Sequence, residues 1–227
     1  MIGIIAAMEE EMTILREALD CSDANVVCGI SFYEGSIGNQ DVVLCTSGVG
    51  KVNAAMATTI LIESYECSFI INTGIAGGIT KVETKDIILG KELAYWDIDA
   101  TAFGYAVGQV PGMPKKYLAN AECILKVKQI LKKLGLSYKE ATIYSGDSFV
   151  SSLEQVSKVN INIPCIAEME GAAVAQVCTR AGVDFLVLRF VSDLVGKENQ
   201  IKDYQAFESE MARRSSTICV EIIKNLE

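Results

Sequence analysis

The 227-residue sequence contains no histidine. That absence removes the commonest general base, the Ser-His-Asp and Cys-His catalytic arrangements, and every histidine metal site. Any proton transfer this chain performs falls to carboxylates, lysine, tyrosine or cysteine. Proline is scarce, at three residues, and no linker, repeat or low-complexity segment interrupts the chain. No apolar run reaches the roughly 18 residues of a transmembrane span. The opening stretch 1–9 has no basic start and soon turns acidic, so no signal peptide is expected. Positive charge is also short: 20 Lys and Arg against 29 Asp and Glu leave a net charge of −9. Binding a phosphate backbone needs clustered Lys and Arg, so neither nucleic acid nor an anionic membrane is an expected partner. The one basic cluster, Lys126, Lys128, Lys132 and Lys133, falls at helical spacing and reads as a solvated helix face. CxxC pairs are missing as well. The eight cysteines sit mostly in apolar runs such as 42–45, which reads as reduced thiols used as small core residues, with the cytoplasm as the expected location.

What is present is a regular alternation of apolar strands and amphipathic helices. Strands are expected at 2–7, at 26–37 and 41–47 as a hairpin, and at 69–72, 86–95, 140–144, 164–168 and 185–191. Helices are expected at 9–19, after Gly50, at 117–134, near 151–159, at 171–181 and at 203–225. Residues 97–116 hold aromatics, glycines and prolines without a period and read as a loop. The pattern predicts one domain over 1–227, a three-layer α/β/α sandwich with a mixed, mostly parallel central sheet.

Ligands of such sheets bind beyond the carboxyl ends of the strands. Glycines and carboxylates recur there: MEEE at 8–11, SGVG at 47–50, TGIAGG at 73–78, SGDSF at 145–149, EMEG at 168–171 and SD at 192–193. Plainer readings exist for several of these. The acidic triplet Glu9, Glu10 and Glu11 suits a helix N-terminus. Gly48 and Gly50 start a dinucleotide-type fingerprint, but Asn53 stands where its third glycine belongs, and Lys51 lies in no P-loop. Phe149 suits a core position, and Asp193 a helix cap. Glu170 is harder to explain structurally, because it enters a crowded small-residue helix start where a carboxylate needs partners. Arg189 interrupts the most apolar strand, shares a face with Val191 and Asp193 by the period of two, and calls for a carboxylate, with Glu170 or Glu11 as candidates.

The strings IGIIAAMEEE, SGVGKV, INTGIAGG, DATAFGYAVGQVPG, SGDSFV, AEMEGAAVAQV and LRFVSD, in this order, resemble the 5′-methylthioadenosine/S-adenosylhomocysteine nucleosidases of the purine nucleoside phosphorylase superfamily. The resemblance runs from Ile2 to about Phe207. It implies a nucleoside-phosphorylase-like fold, no cofactor, no metal, and hydrolysis of the N-glycosidic bond of an adenosine thioether. It matches Glu11 to the base that activates water, Glu170 to the carboxylate on the ribose hydroxyls, and Arg189 to the residue that helps organise the water and Glu170. Asp193 matches the acid that protonates adenine, held by Ser192. Met169 lies under the sugar, Phe149 stacks on adenine, and the Val150 backbone reads the adenine edge. Met8, Val49 and Ile75 complete the binding wall, and Tyr204 is the best match for the aromatic at the 5′ end. The family's homodimer further implies that Ala100, Phe103, Tyr105 and Pro111 cover the partner's pocket.

This division of labour suits a chain without histidine: the leaving purine needs a proton, and the oxocarbenium-like ribosyl cation favours an acidic pocket. Two departures stand out. Ile75 replaces the Ser of many relatives, and the stretch 195–201 is one residue longer than the usual continuation. Two rivals remain at this point, a phosphate-dependent purine nucleoside phosphorylase and a non-catalytic nucleoside-binding protein on the same fold. The 5′ group is open among methylthio, homocysteinyl, deoxy and futalosine-type substituents.

Overall fold

Every residue of strand β1 (Ile2–Ala6) is buried, and a strand that is apolar on both faces needs a layer of cover on each. The computed structural model, which describes every residue except Ser22 and Glu227, supplies both layers. After β1 come α1 (Glu9–Ala18), β2 (Asp20–Cys21), β3 (Asn25–Val27), β4 (Ile30–Ile37) and β5 (Gln40–Thr46). Then follow α2 (Lys51–Tyr65), β6 (Phe69–Thr80), β7 (Ile87–Tyr95) and a loop holding a short 3-10 turn, Thr101–Phe103. The remainder is β8 (Tyr117–Leu118), α3 (Ala121–Lys133), β9 (Lys139–Ser145), β10 (Cys165–Glu168), α4 (Gly171–Ala181), β11 (Asp184–Leu194) and α5 (Gln200–Asn225). One apolar core packs α2 and α4 against the sheet. The other packs α1, α3 and α5 against the opposite face.

The strands run in the order β10-β9-β7-β11-β6-β1-β5-β4-β2, with β3 on β4 and β8 on β7. At the centre β11, β6, β1 and β5 are parallel. The sheet also closes on one side. The far end of β6 pairs antiparallel with β10, Gly77 opposite Ala167 and Gly78 opposite Ile166, so that β6, β11, β7, β9 and β10 form a ring. The expected end of a strand at 72 is therefore corrected: the glycine-rich segment continues as strand. Small residues are required there, since a Cβ on Gly78 would approach side-chain atoms of Leu194 and Val82 to 2.7 and 2.8 Å.

Other boundaries shift for local reasons. The helix expected from 117 begins at Ala121, because the Asn120 side chain accepts from the N–H groups of Glu122 and Cys123 and caps it. Tyr117 and Leu118 pair instead with Leu93 and Glu92. In α3 Ile124, Val127, Ile130 and Leu131 face the core, while Lys126, Lys132 and Lys133 are exposed, as the helical spacing implied. No helix forms at 151–159, where turns stand. Gln155 Oε1 accepts from the N–H groups of Ser151 and Ser152 and satisfies locally what a helical ladder would use. The strand expected at 185–191 runs on to Leu194. Five cysteines, Cys45, Cys67, Cys165, Cys178 and Cys219, are buried free thiols. Among the described residues no helix is long and apolar enough to cross a membrane.

Candidate active site

β1 runs directly into α1, and the first turn of that helix folds its third acidic residue inward. Glu9 and Glu10 stay exposed at the dipole-favoured N-terminus, whereas Glu11 is 3% exposed. One Glu11 oxygen, Oε2, accepts from the N–H groups of Ala7 at 3.0 Å and Met8 at 3.1 Å. The other, Oε1, accepts from the N–H of Ile75 at 3.0 Å. With Ile75 in place of the Ser of many relatives, the polar contact at this position is made by the backbone. Gly74 is what lets the carboxylate lie on β6, since a Cβ there would stand 2.6 Å from Oε1. Burial pushes the Glu11 carboxyl above the usual range, against the opposing charge of Arg189 and these N–H groups.

A second buried group gathers where β10 meets α4. Arg189, 2% exposed, binds Glu168 Oε2 and Asn72 Oδ1, and stands 3.8 Å from Glu170. Its nearest carboxylate is therefore Glu168, not one of the two expected candidates, and the expected Glu170 is a second, looser ion-pair partner. The reason is register: β10 carries Glu168 at its last position, and Ser145 of the neighbouring β9 hydrogen-bonds it from the side. Glu168 also accepts from the N–H groups of Glu170 and Gly171 at the start of α4. Glu170 turns the other way and accepts from the N–H of Gly50 at 2.9 Å. Gly50 has a φ of 104°, a conformation L side chains rarely adopt. Burial, reinforced by the negative charge of Glu168, raises the Glu170 carboxyl to about 7.

The third carboxylate comes from β11. The register shifts between Val191 and Asp193, so the simple alternation that put Arg189, Val191 and Asp193 on one face does not hold. Such an irregularity re-aims a side chain at a sheet's functional end. Asp193 is 1% exposed; its Oδ1 accepts from the Ser192 hydroxyl at 2.6 Å and its Oδ2 from Gln200 at 2.8 Å. It caps no helix, as α5 has Asn199 at its N-cap. Burial raises the Asp193 carboxyl, while the Ser192 and Gln200 bonds pull it down.

These elements enclose a cleft, placed where ligands of such sheets bind. Glu11, Glu170 and Asp193 all line it, together with Ser192, Met169 and Met8. Val49, Ile75, Phe149, Val150 and Tyr204 line it too. Phe149 and Tyr204 meet edge to face, ring centres 5.5 Å apart, and both flank the cavity. Arg189 lies behind the wall rather than in it. Ala100, Phe103, Tyr105 and Pro111 do not line this chain's cleft; Phe103 is 83% exposed. Sequence reasoning missed Glu168 and Gln200. A buried arginine's need for a carboxylate pointed to the first, one strand position from Met169. Nothing in the local pattern singled out the second.

Residues 1–224 match the model of the phosphorylase superfamily. The 5′-methylthioadenosine/S-adenosylhomocysteine nucleosidase of Geobacillus sp. (strain WCH70) is 40% identical over 230 residues, spanning 100% of this chain and 99% of its own. Among solved structures, the S-adenosylhomocysteine nucleosidase of Streptococcus pyogenes in complex with 5-methylthiotubericidin superposes with a TM-score of 0.93 at 36% identity, covering 100% of this chain and 97% of its own. The futalosine hydrolase of Helicobacter pylori superposes with a TM-score of 0.92 at 28% identity, covering 99% and 97%.

Proposed function

The chain belongs to the 5′-methylthioadenosine/S-adenosylhomocysteine nucleosidases of the phosphorylase superfamily, and from that premise we propose that it hydrolyses the N-glycosidic bond of these two thioethers. The products are adenine and the free 5-thioribose sugar. The observation that carries this reading is the charge of the cleft. Among the described residues that line it, four are carboxylates, Glu11, Glu168, Glu170 and Asp193, and none is Lys or Arg. A second unit charge about 4 Å away costs roughly 1 kcal/mol in water and about 4 kcal/mol near a protein surface. A phosphate dianion finds no cationic side chain in this lining to offset its charge beside an ionised Glu11, whereas neutral water beside the same carboxylate is activated by it.

In this reading the substrate's adenine lies against Phe149, with its edge on the Val150 backbone and Met169 beneath the sugar. Glu170 accepts from the ribose hydroxyls. Asp193, whose carboxyl burial raises above its usual range, gives its proton to the purine nitrogen as the C–N bond breaks and its electrons leave with the base. The ribosyl cation left behind is stabilised by the acidic wall. Glu11 takes a proton from water as the water oxygen bonds to the anomeric carbon. Three N–H groups occupy three of the roughly four acceptor positions of that carboxylate, leaving one for the water. Ala100, Phe103, Tyr105 and Pro111 serve the partner's pocket in a homodimer, acting in the cytoplasm.

The test is adenine release from methylthioadenosine in phosphate-free buffer, followed by added phosphate. A rate independent of phosphate with a free sugar product supports hydrolysis. Strict phosphate dependence with a ribose 1-phosphate product would promote the phosphorylase instead.

A further inference from the structure

The side chain of Gln200, in the first turn of α5, is 4% exposed and makes three hydrogen bonds. Its Nε2 donates to Asp193 Oδ2 and to the backbone oxygen of Val150, each at 2.8 Å. Its Oε1 accepts from the N–H of Gly196 at 2.9 Å. The amide orientation is fixed by these partners, two acceptors on the nitrogen side and one donor on the oxygen side. Both amide protons are thus committed, one to β11 and one to the loop that follows β9. These two groups are distant in sequence and have no shared element to hold them in register.

We propose that Gln200 is a positioning residue that locks the acid Asp193 to the backbone of Val150, so that proton delivery and purine recognition share one reference point. The proposal rests on the hydrolase reading for the roles of its two partners. Gln200 reaches both because the 195–200 turn, with Gly196 at φ 74°, brings the start of α5 back over the cleft. By donating to Oδ2 it leaves the Asp193 proton to the other oxygen or the other lone pair, and it favours the ionised carboxylate. Around Asp193, β6 presents Ala76 and Gly77 and the loop presents Phe149 and Val150, none of them titratable. The titratable groups that act on Asp193 or respond to it are Asp203 and Tyr204, both on α5.

Two variants test this, Gln200→Leu, which removes all three bonds, and Gln200→Glu, which keeps an acceptor for Gly196 and loses the donors. Each is expected to lower kcat about tenfold to a hundredfold, the cost of a small misplacement at a reacting centre. The affinity for free adenine, measured by calorimetry, falls about tenfold. The alkaline limb of kcat/KM, which reports the acid in the free enzyme, moves up by about one pH unit because a donor to the carboxylate is gone. A purely structural clamp would lower Tm and leave that limb and the adenine affinity at wild-type values, and this result overturns the proposal. Failure of both variants to fold overturns it as well. If the wild type releases no adenine from methylthioadenosine, the hydrolase reading is lost, and the adenine titration alone then decides whether Gln200 holds the purine-reading backbone.

Discussion

The backbone N–H of Ile75 and the carboxylate of Glu11 meet at 3.0 Å, across the gap that Gly74 leaves open on β6. Because the bond is made by the main chain, the side chain at 75 is free to be apolar without loosening Glu11. Glu11→Gln is expected to lower kcat by at least about a hundredfold, the usual scale for a lost general base. It should also lower stability by about 1–3 kcal/mol, since an amide NH₂ would face backbone donors wherever it is placed. Steady-state assay and thermal unfolding measure the two effects; activity within fivefold of wild type would remove Glu11 from the base role.

Asp193→Asn separates acid chemistry from folding more cleanly. The asparagine can turn its oxygen to Gln200 and its NH₂ to the Ser192 hydroxyl, so both existing contacts are kept. The expected outcome is a kcat about a hundredfold or more below wild type, with Tm and the affinity for adenosine analogues little changed. Retained turnover would reassign the proton donor.

Glu170 links function to pH. Its carboxyl is raised to about 7 in the folded protein from an ordinary 4.5, so between these values the native state holds a proton that the unfolded chain has released. Stability from this group is therefore fully present at pH below about 4.5 and declines as pH rises through about 7. Glu170→Gln carries no such proton and should flatten the fall of Tm between about pH 5 and pH 8. Parallel melting curves for the two proteins settle it, and identical slopes would show that Glu170 does not titrate there.

Exposed apolar side chains predict an assembly. Val49, Val52, Phe103 and Leu118 are 47, 77, 83 and 65% exposed in the single chain, and pairing with a second copy would cover such side chains. Sedimentation at micromolar concentration should give about twice the 24.5 kDa chain mass. Phe103→Glu should shift the protein toward monomer and raise KM for methylthioadenosine. A fully active monomer would refute a shared pocket.

Much of this arrangement was legible because it follows from periodicity and from chemistry that only a few residues can perform. The 3.6-residue period of 171–181, the apolar run 185–191 and the hairpin around Gly38 all appear in the structure within a few residues. The cleft residues were found where strands end. Most of the misses share a cause, a contact distant in sequence. Glu168 pairs with Arg189 because β10 and β11 both border β6, and the strand character of 73–80 exists because β10 and β11 flank it. Gln200 acts through a turn that no local signal predicts. The failed helix at 151–159 is the opposite case, in which a local side chain, Gln155, outcompetes the ladder.

The place of β11 in the ring has a consequence for how the chain acquires its structure. This strand inserts between β6 and β7, two strands made about a hundred residues earlier. Until it arrives, the edges of both are unpaired, and long-range pairing of this kind makes folding slow. The nascent chain thus carries open strand edges through most of its synthesis, a state prone to association with other chains. Truncations that remove β11 should yield insoluble protein rather than a smaller folded unit. Because Arg189 and Asp193 both sit on that strand, and Gln200 and Tyr204 on the helix after it, the proposed site cannot form on a chain that has not yet placed β11.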